Sequence, residues 1–146
     1  MWVEFILVEV TRLHITRETD YALRALRALI DGDKKKLDTI CKEEQVPKQF
    51  GYKIMKKLAL SEYVSIVRGK DGGYIINEEI LEKSLYDLSE AMENDPDISP
   101  CMQASYSCEY RNKKDGCCGV HDKLAALQER IDGELKAVKL NSLLSD

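Results

Sequence analysis

Four of the five cysteines lie in one polar segment, CMQASYSCEYRNKKDGCCGVH, residues 101–121. Six residues separate Cys101 from Cys108, nine separate Cys108 from Cys118, and Cys118 precedes His121 by three positions. Structural zinc sites usually contain closely spaced cysteine pairs, whereas wider-spaced thiolates suit an iron–sulfur cluster, which is larger than one ion. The spacing therefore favours a metal centre, with a reactive-thiol site or a coincidental grouping of cysteines as the alternatives.

The composition indicates a protein of the reducing cytoplasm. The chain has 146 residues, 44% of them hydrophobic and 33% charged, which suits one compact domain or a small domain with an appendage. It contains no apolar run long enough to span a membrane, so we expect no membrane partner. The apolar N-terminus carries Glu4 and Glu9 and lacks a basic start, so it is a poor signal peptide. In the cytoplasm, clustered cysteines bind metal or do redox work more often than they form disulfides.

Charge is unevenly distributed along the chain. Residues 34–70 contain ten basic and four acidic side chains, whereas residues 71–100 contain one basic and nine acidic ones. A basic block in an acidic protein is typical of an anion-binding face, although charge alone fits a solvated lysine-rich surface equally well.

The basic block coincides with a predicted winged helix-turn-helix. Thr16 is a predicted N-cap, LDTICKEEQV a short second helix, and Pro47 begins a third helix that carries several lysines. Two β-prone runs, residues 64–67 and 74–76, flank RGKDGG, which predicts a hairpin with Arg68 and Lys70 at its tip. The fold class is therefore mainly α with a small β-hairpin.

The last helix, predicted over residues 121–144, carries a narrow apolar stripe that favours a homodimer. The stripe comprises Leu124, Leu127, Ile131, Leu135 and Val138. The predicted organisation is an N-terminal extension at 1–12, a winged helix-turn-helix DNA-binding domain at 13–80, and a cluster-binding loop with dimerisation helices at 81–146, among them a helix over 81–92.

A set of basic and polar side chains is predicted to contact double-stranded DNA. We expect Lys48, Gln49 and Tyr52 at base edges. We expect Lys53, Lys56 and Lys57 at phosphates. The predicted set is completed by Thr16, Arg17, Pro47, Arg68, Gly69 and Lys70.

From about residue 14 to 144 the chain resembles the Rrf-two family of bacterial winged-helix transcription regulators. The resemblance rests on ITRETDYALRAL, on VPKQFGYKIMKKLALSEYVSIVRGKDGGY and on the cysteine segment leading into CGVH. It implies a homodimer that binds a palindromic operator, with an iron–sulfur cluster in many members. The cysteine spacings are longer here than the usual family pattern.

The resemblance also implies a ligand set. Cys101, Cys108 and Cys118 match the cluster thiolates, with Cys117 as a substitute for Cys118. His121 matches the fourth ligand of two-iron members, and Asp20 of the partner subunit matches that of four-iron nitric-oxide sensors. The cluster type therefore stays open.

The predicted function is a DNA-binding transcriptional repressor controlled by an iron–sulfur cluster that senses nitric oxide, redox state, iron or cluster supply. The alternative is a cluster-free regulator of the cysteine-metabolism type, which is thiol-based or controlled by a partner protein. No base–nucleophile pair, glycine-rich phosphate loop or acid dyad is readable, so we predict that the chain is not an enzyme.

Overall fold

The first helix begins where the sequence places its cap. The computed structural model describes residues 15–92 and 97–145, so the predicted extension at 1–12 lies outside the described residues. Helix α1 spans Arg17–Ala28, and the Thr16 hydroxyl oxygen accepts a hydrogen bond from the Thr19 N–H, as predicted. Its buried face carries Ala22, Ala25 and Leu26.

Helices α2, Leu37–Glu44, and α3, Lys48–Leu60, form the predicted helix-turn-helix. A left-handed residue, Gln45, ends α2, and Pro47 caps the start of α3. The two helices approach closely at Gly51, where an added Cβ would lie 2.5 Å from the Cys41 sulfur. Cys41 is buried there.

The wing is an antiparallel hairpin of β1, Val64–Val67, and β2, Gly73–Ile76. Lys35, between α1 and α2, forms an antiparallel bridge with Tyr74 and so extends the hairpin by a third short segment. Gly73 is required at this crossing, because an added Cβ would lie 2.6 Å from the Lys35 carbonyl oxygen.

The C-terminal half is helical but more interrupted than the sequence predicts. The helix predicted over 81–92 is instead a 3-10 turn, Glu78–Glu82, followed by α4, Leu85–Ala91, which Ser84 and Asp87 cap. After a second 3-10 turn, Pro100–Met102, come α5, Glu109–Lys113, and α6, Gly119–Ala137. None of the helices within the described ranges is long and apolar enough to cross a membrane.

The predicted final helix breaks at Val138 because the chain there pairs with an earlier segment. Lys139 forms a bridge with Ser84, and the Leu85 N–H donates to the Val138 carbonyl. The last helix, α7, Leu140–Leu144, then packs against α1 and the first 3-10 turn, with Leu140 and Leu144 in the core. The described architecture agrees with the predicted fold class.

Gly51→Ala is expected to lower the free energy of unfolding by about 1–3 kcal/mol, because the new methyl overlaps the Cys41 sulfur. Gly133→Ala is the matched control in α6, where an added Cβ meets nothing within 4 Å, and should raise it by up to about 1 kcal/mol. Urea unfolding followed by circular dichroism measures both. Adding Cys41→Ala should recover part of the Gly51→Ala loss, and equal stability of the two glycine variants would contradict the close packing.

Candidate metal centre and DNA interface

Three of the predicted thiolate ligands open on one cavity of about 930 Å³. Cys101, Cys108, Cys118 and His121 all contribute to its lining. The other lining residues are Tyr106, Tyr110, Arg111, Asn112, Gly116, Gly119, Val120 and Lys123. The structure therefore brings together four of the residues that the sequence assigned to a metal centre.

Each of these cysteines lies at the start of a helical segment. Cys101 is in the short 3-10 turn, Cys108 is the N-cap of α5, and Cys118 is the N-cap of α6. Neither N-cap cysteine makes a side-chain capping hydrogen bond. The partial positive charge at the start of the 19-residue α6 favours a negatively charged group at Cys118. The local folding thus leaves these sulfur atoms free of capping roles.

His121 has a buried ring nitrogen, Nδ1, that lacks a hydrogen-bond partner among the residues that the structure describes. A buried polar atom without a partner costs free energy, which ligation would relieve. This donor set of three thiols and one imidazole fits an iron–sulfur cluster. Within the described ranges, no three His, Cys, Asp or Glu side chains come close enough to hold a single metal ion.

Cys117 and Cys41 lie outside this arrangement. Cys117 is exposed and does not line the cavity, which favours Cys118 over its neighbour as the ligand. Cys41 is buried between α2 and α3, and desolvation, followed by the charge of Asp38, raises the pKa of its thiol. Cys41 is therefore a core residue.

The segment before Cys101 is fixed to the middle of α6. The Ile98 N–H donates to Gln128 Oε1 at 2.7 Å, and Gln128 Nε2 donates to Asp132 Oδ1 at 2.8 Å. Gln128 is buried, whereas most of α6 is exposed. Sequence reasoning missed this residue, since a glutamine near an apolar stripe gives no local signal of a long-range role. One side of the cysteine cavity is thus anchored on α6.

Asp20 has a different environment within its own chain. Its carboxylate accepts a hydrogen bond from Arg24 Nε at 3.2 Å, four residues along α1. It is absent from the described residues that line the cysteine cavity. The role predicted for Asp20 of the partner subunit stays a prediction.

The lysines of α3 differ in their partners. Lys48 pairs with Asp38 at 2.7 Å, and Lys53 pairs with Glu18, while both lysine side chains are more than half exposed. Gln49, Tyr52 and Lys56 are exposed, as predicted for a reading surface. A pair between exposed side chains, such as Lys48 and Asp38, contributes up to about 1 kcal/mol, so a phosphate can compete for Lys48.

Lys57 lies apart from this exposed surface. Its side chain is only 16% exposed, and its Nζ atom lies 2.5 Å from Glu18 Oε2 and 3.0 Å from the Met92 carbonyl oxygen. Partial burial acts to raise the pKa of Glu18, but hydrogen bonds from Lys53 and Lys57 outweigh it and hold that pKa below its usual value. The structure therefore gives Lys57 interior partners instead of the outward position that the sequence predicted.

The remaining predicted DNA contacts lie in the wing tip and at the starts of α1 and α3. Arg68, Gly69 and Lys70 are exposed at the wing tip, where Gly69 has a φ of 115°. Arg17 is exposed at the start of α1, Pro47 is exposed at the start of α3, and Thr16 serves as the N-cap.

Two lysines of the basic block that were not among the predicted DNA contacts lie beside the wing. Lys34 and Lys36 are exposed on either side of Lys35, whose side chain is held by Asp31 and Glu43. Lys34 packs near Gly73 of β2. The run DKKK at residues 33–36 indicates a basic surface. Its position beside the wing could not be predicted, because the run pairs with β2, which lies far along the chain.

A family model described as "Iron-dependent Transcriptional regulator", Rrf2, matches residues 15–146. The chain belongs to the Rrf2 (Rrf-two) family. It is therefore a DNA-binding transcriptional regulator, and the prediction that it is not an enzyme is confirmed, because the family consists of regulators.

Known proteins agree with the family and the fold. An HTH-type transcriptional regulator of Aquifex aeolicus (strain VF5) is 27% identical over 127 residues, 86% of this chain and 87% of the relative. CymR, the global cysteine regulator of B. subtilis, has a TM-score of 0.66 at 18% identity, covering 92% of this chain and 99% of CymR. T. potens IscR has a TM-score of 0.60 at 18% identity, covering 90% and 87%. At these identities, the two structures show the winged-helix fold alone.

In the native metal-free protein, we expect Cys117 to react fastest with iodoacetamide and Cys41 slowest. Cys117 is exposed, Cys101, Cys108 and Cys118 are partly covered, and Cys41 is buried with a raised thiol pKa. Peptide mass spectrometry over a time course measures the order. Labelling in denaturant is the control and should make the five rates similar. Early alkylation of Cys41 in the native protein would contradict the described packing of α2 on α3.

Proposed function

We propose that this Rrf2 protein is a homodimeric repressor whose binding to a palindromic operator is controlled by an iron–sulfur cluster. The observation that carries the proposal is the shared cavity, on which three cysteines from three helical starts open beside the unpartnered Nδ1 of His121. The signal would be nitric oxide, redox state, iron supply or cluster supply. A cytoplasmic location fits this chemistry.

Cys101, Cys108 and Cys118 would hold the cluster, with His121 as the proposed fourth ligand. His121 is favoured because it lines the same cavity and its Nδ1 atom lacks a partner, whereas Asp20 is bonded to Arg24. Asp20 of the partner subunit is the alternative. When bound, the cluster supplies a redox-active centre that requires its cysteine ligands to be deprotonated.

The protein's own residues would turn ligation into a change of DNA affinity. Cys118 begins α6, and the turn that contains Cys101 is tied to the middle of α6 through Ile98 and Gln128. Ligation of Cys101, Cys108 and Cys118 together would fix the intervening loop against α6. The far end of α6 leads into α7, whose Leu140 and Leu144 are buried in the core with α1. The cysteines and the DNA-binding domain thus share one packed helix.

The exposed face of α6 supports the homodimer. Leu127 is 43% exposed and Leu124, Ile131 and Leu135 are partly exposed, although their spacing is that of an apolar stripe. A second copy of α6 would cover this stripe. A twofold dimer presents two recognition helices, which explains the expectation of a palindromic operator.

A second candidate function is cluster-free regulation of the cysteine-metabolism type, thiol-based or controlled by a partner protein. The similarity of fold to CymR, described as a global cysteine regulator, favours it. So does the lack, among the described residues, of a compact three-ligand group for a single ion. Anaerobically purified protein without visible absorption, iron or sulfide, yet with full operator binding, would support this candidate.

The ligand assignment predicts a lost or altered cluster in two variants and an unchanged cluster in two others. After anaerobic reconstitution, His121→Ala should lose iron and visible absorption or alter the Mössbauer spectrum, because it removes the proposed fourth ligand. Cys118→Ala should lose the cluster, whereas Cys117→Ala, the matched control, should retain it. Asp20→Ala should behave as wild type. Loss of the cluster in Asp20→Ala with retention in His121→Ala would contradict the assignment and favour ligation by Asp20 of the partner subunit.

The DNA interface predicts two kinds of loss. Arg68→Ala should weaken operator binding by about 1–3 kcal/mol if the wing tip reads a base or a narrow minor groove. Lys56→Ala should lower the slope of log affinity against log salt by about 0.9 per operator half-site, because one phosphate contact is lost. Lys114→Ala, in the cysteine segment, is the control. Fluorescence anisotropy over a salt series measures these values, and unchanged affinity and slope in both variants would contradict the interface.

A further inference from the structure

Lys57 joins three structural elements through one ammonium group. It lies on the recognition helix α3, contacts Glu18 in the first turn of α1, and donates to the carbonyl of Met92, the C-cap of α4. The carbonyls at the end of a helix lack intrahelical partners and attract cations, whereas the start of a helix favours acids. Lys57 therefore satisfies the end of α4 while it pairs with an acid at the start of α1.

The end of α4 leads toward the cysteine segment. Met92 is fully buried in the core shared by α1, α3 and α7, and its carbonyl is held by Lys57. Ile98, six positions further along the chain, is bound to α6 through Gln128, and Cys101 follows three positions later. A short stretch of chain thus separates the lysine-bound end of α4 from the first cysteine.

Lys53 and Lys57 both lie on α3, but their exposure suits them to different roles. Both contact Glu18, but the side chain of Lys53 is 55% exposed and that of Lys57 is 16% exposed. A phosphate can draw Lys53 away at the smaller cost, since its ammonium is the more exposed of the two and Glu18 keeps its pair with Lys57. Lys57 would have to give up a partly buried pair and a carbonyl bond, and an unsatisfied buried group is costly. DNA contact at Lys53 would therefore leave the Lys57 contacts in place.

We propose that Lys57 is a positioning residue that couples the recognition helix to the end of α4 and so to the cysteine segment. This inference rests on the proposed operator binding, but it does not require that the cysteines hold a cluster. DNA that holds α3 in place would hold Lys57, and Lys57 would stabilise the last turn of α4. By reciprocity, whatever orders the cysteine segment would alter the position of α3.

Hydrogen–deuterium exchange of the full-length, anaerobically purified protein tests the coupling. Operator duplex should slow amide exchange in residues 88–92 and 97–102 about fivefold or more in the wild type. Lys57→Met should lose this response yet keep the wild-type salt slope of DNA binding. Lys56→Met, the adjacent exposed lysine, should keep the response and lower the slope by about 0.9 per half-site. Lys57→Arg should restore the response.

A further variant, Glu18→Gln, and the possible outcomes complete the test. Glu18→Gln weakens the lysine site from the α1 side and should reduce the response, which covers the case that Lys57→Met does not fold. A full response in Lys57→Met, or a fall in its salt slope equal to that of Lys56→Met, would overturn the coupling role. If the wild-type protein shows the slowed exchange but cannot be loaded with iron, the proposed cluster is overturned and the coupling is supported. Failure of the wild type to bind any duplex selected from a random pool would overturn both.

Discussion

Helix α6 is held at its middle through Gln128 and just after its C-terminal end through Val138 and Lys139, and it links the cysteines to the DNA-binding domain. Its N-cap is Cys118, and its C-terminal end pairs with Ser84 and Leu85 before α7 places Leu140 and Leu144 in the core. A 19-residue helix is about 28 Å long, so α6 connects two distant parts of the molecule as one rigid element. A change at Cys118 therefore acts on a helix that leads into α7, which packs against α1.

The cysteine cavity and the predicted DNA face differ in burial and in charge. The cysteine cavity is formed by short helical segments with thiols and one unpartnered imidazole nitrogen. The predicted DNA face carries the exposed lysines Lys48 and Lys53, whereas Lys57 is held inside by Glu18 and Met92. Membership of the Rrf2 family is consistent with this division between a regulatory segment and a winged helix.

Local signals made most of the fold predictable from the sequence, and long-range pairing accounts for the rest. Thr16, Pro47 and the Asp-Gly turn of the wing are local features, and each lies where the sequence predicted. The break at Val138 was missed because the apolar spacing continues past it, while the bridge between Lys139 and Ser84 joins residues far apart in sequence. The inward direction of Lys57 was missed for the same reason, since it depends on where α4 ends.

Operator affinity measured against iron content in one anaerobic sample tests the central claim most directly. Stepwise chelation gives a series of wild-type samples that differ only in iron and sulfide per protomer, and each is titrated with the same duplex at fixed salt. The account predicts that the operator Kd changes with iron content, by about fivefold or more between the loaded and the stripped protein. A Kd that stays constant across the whole series would contradict control by a cluster.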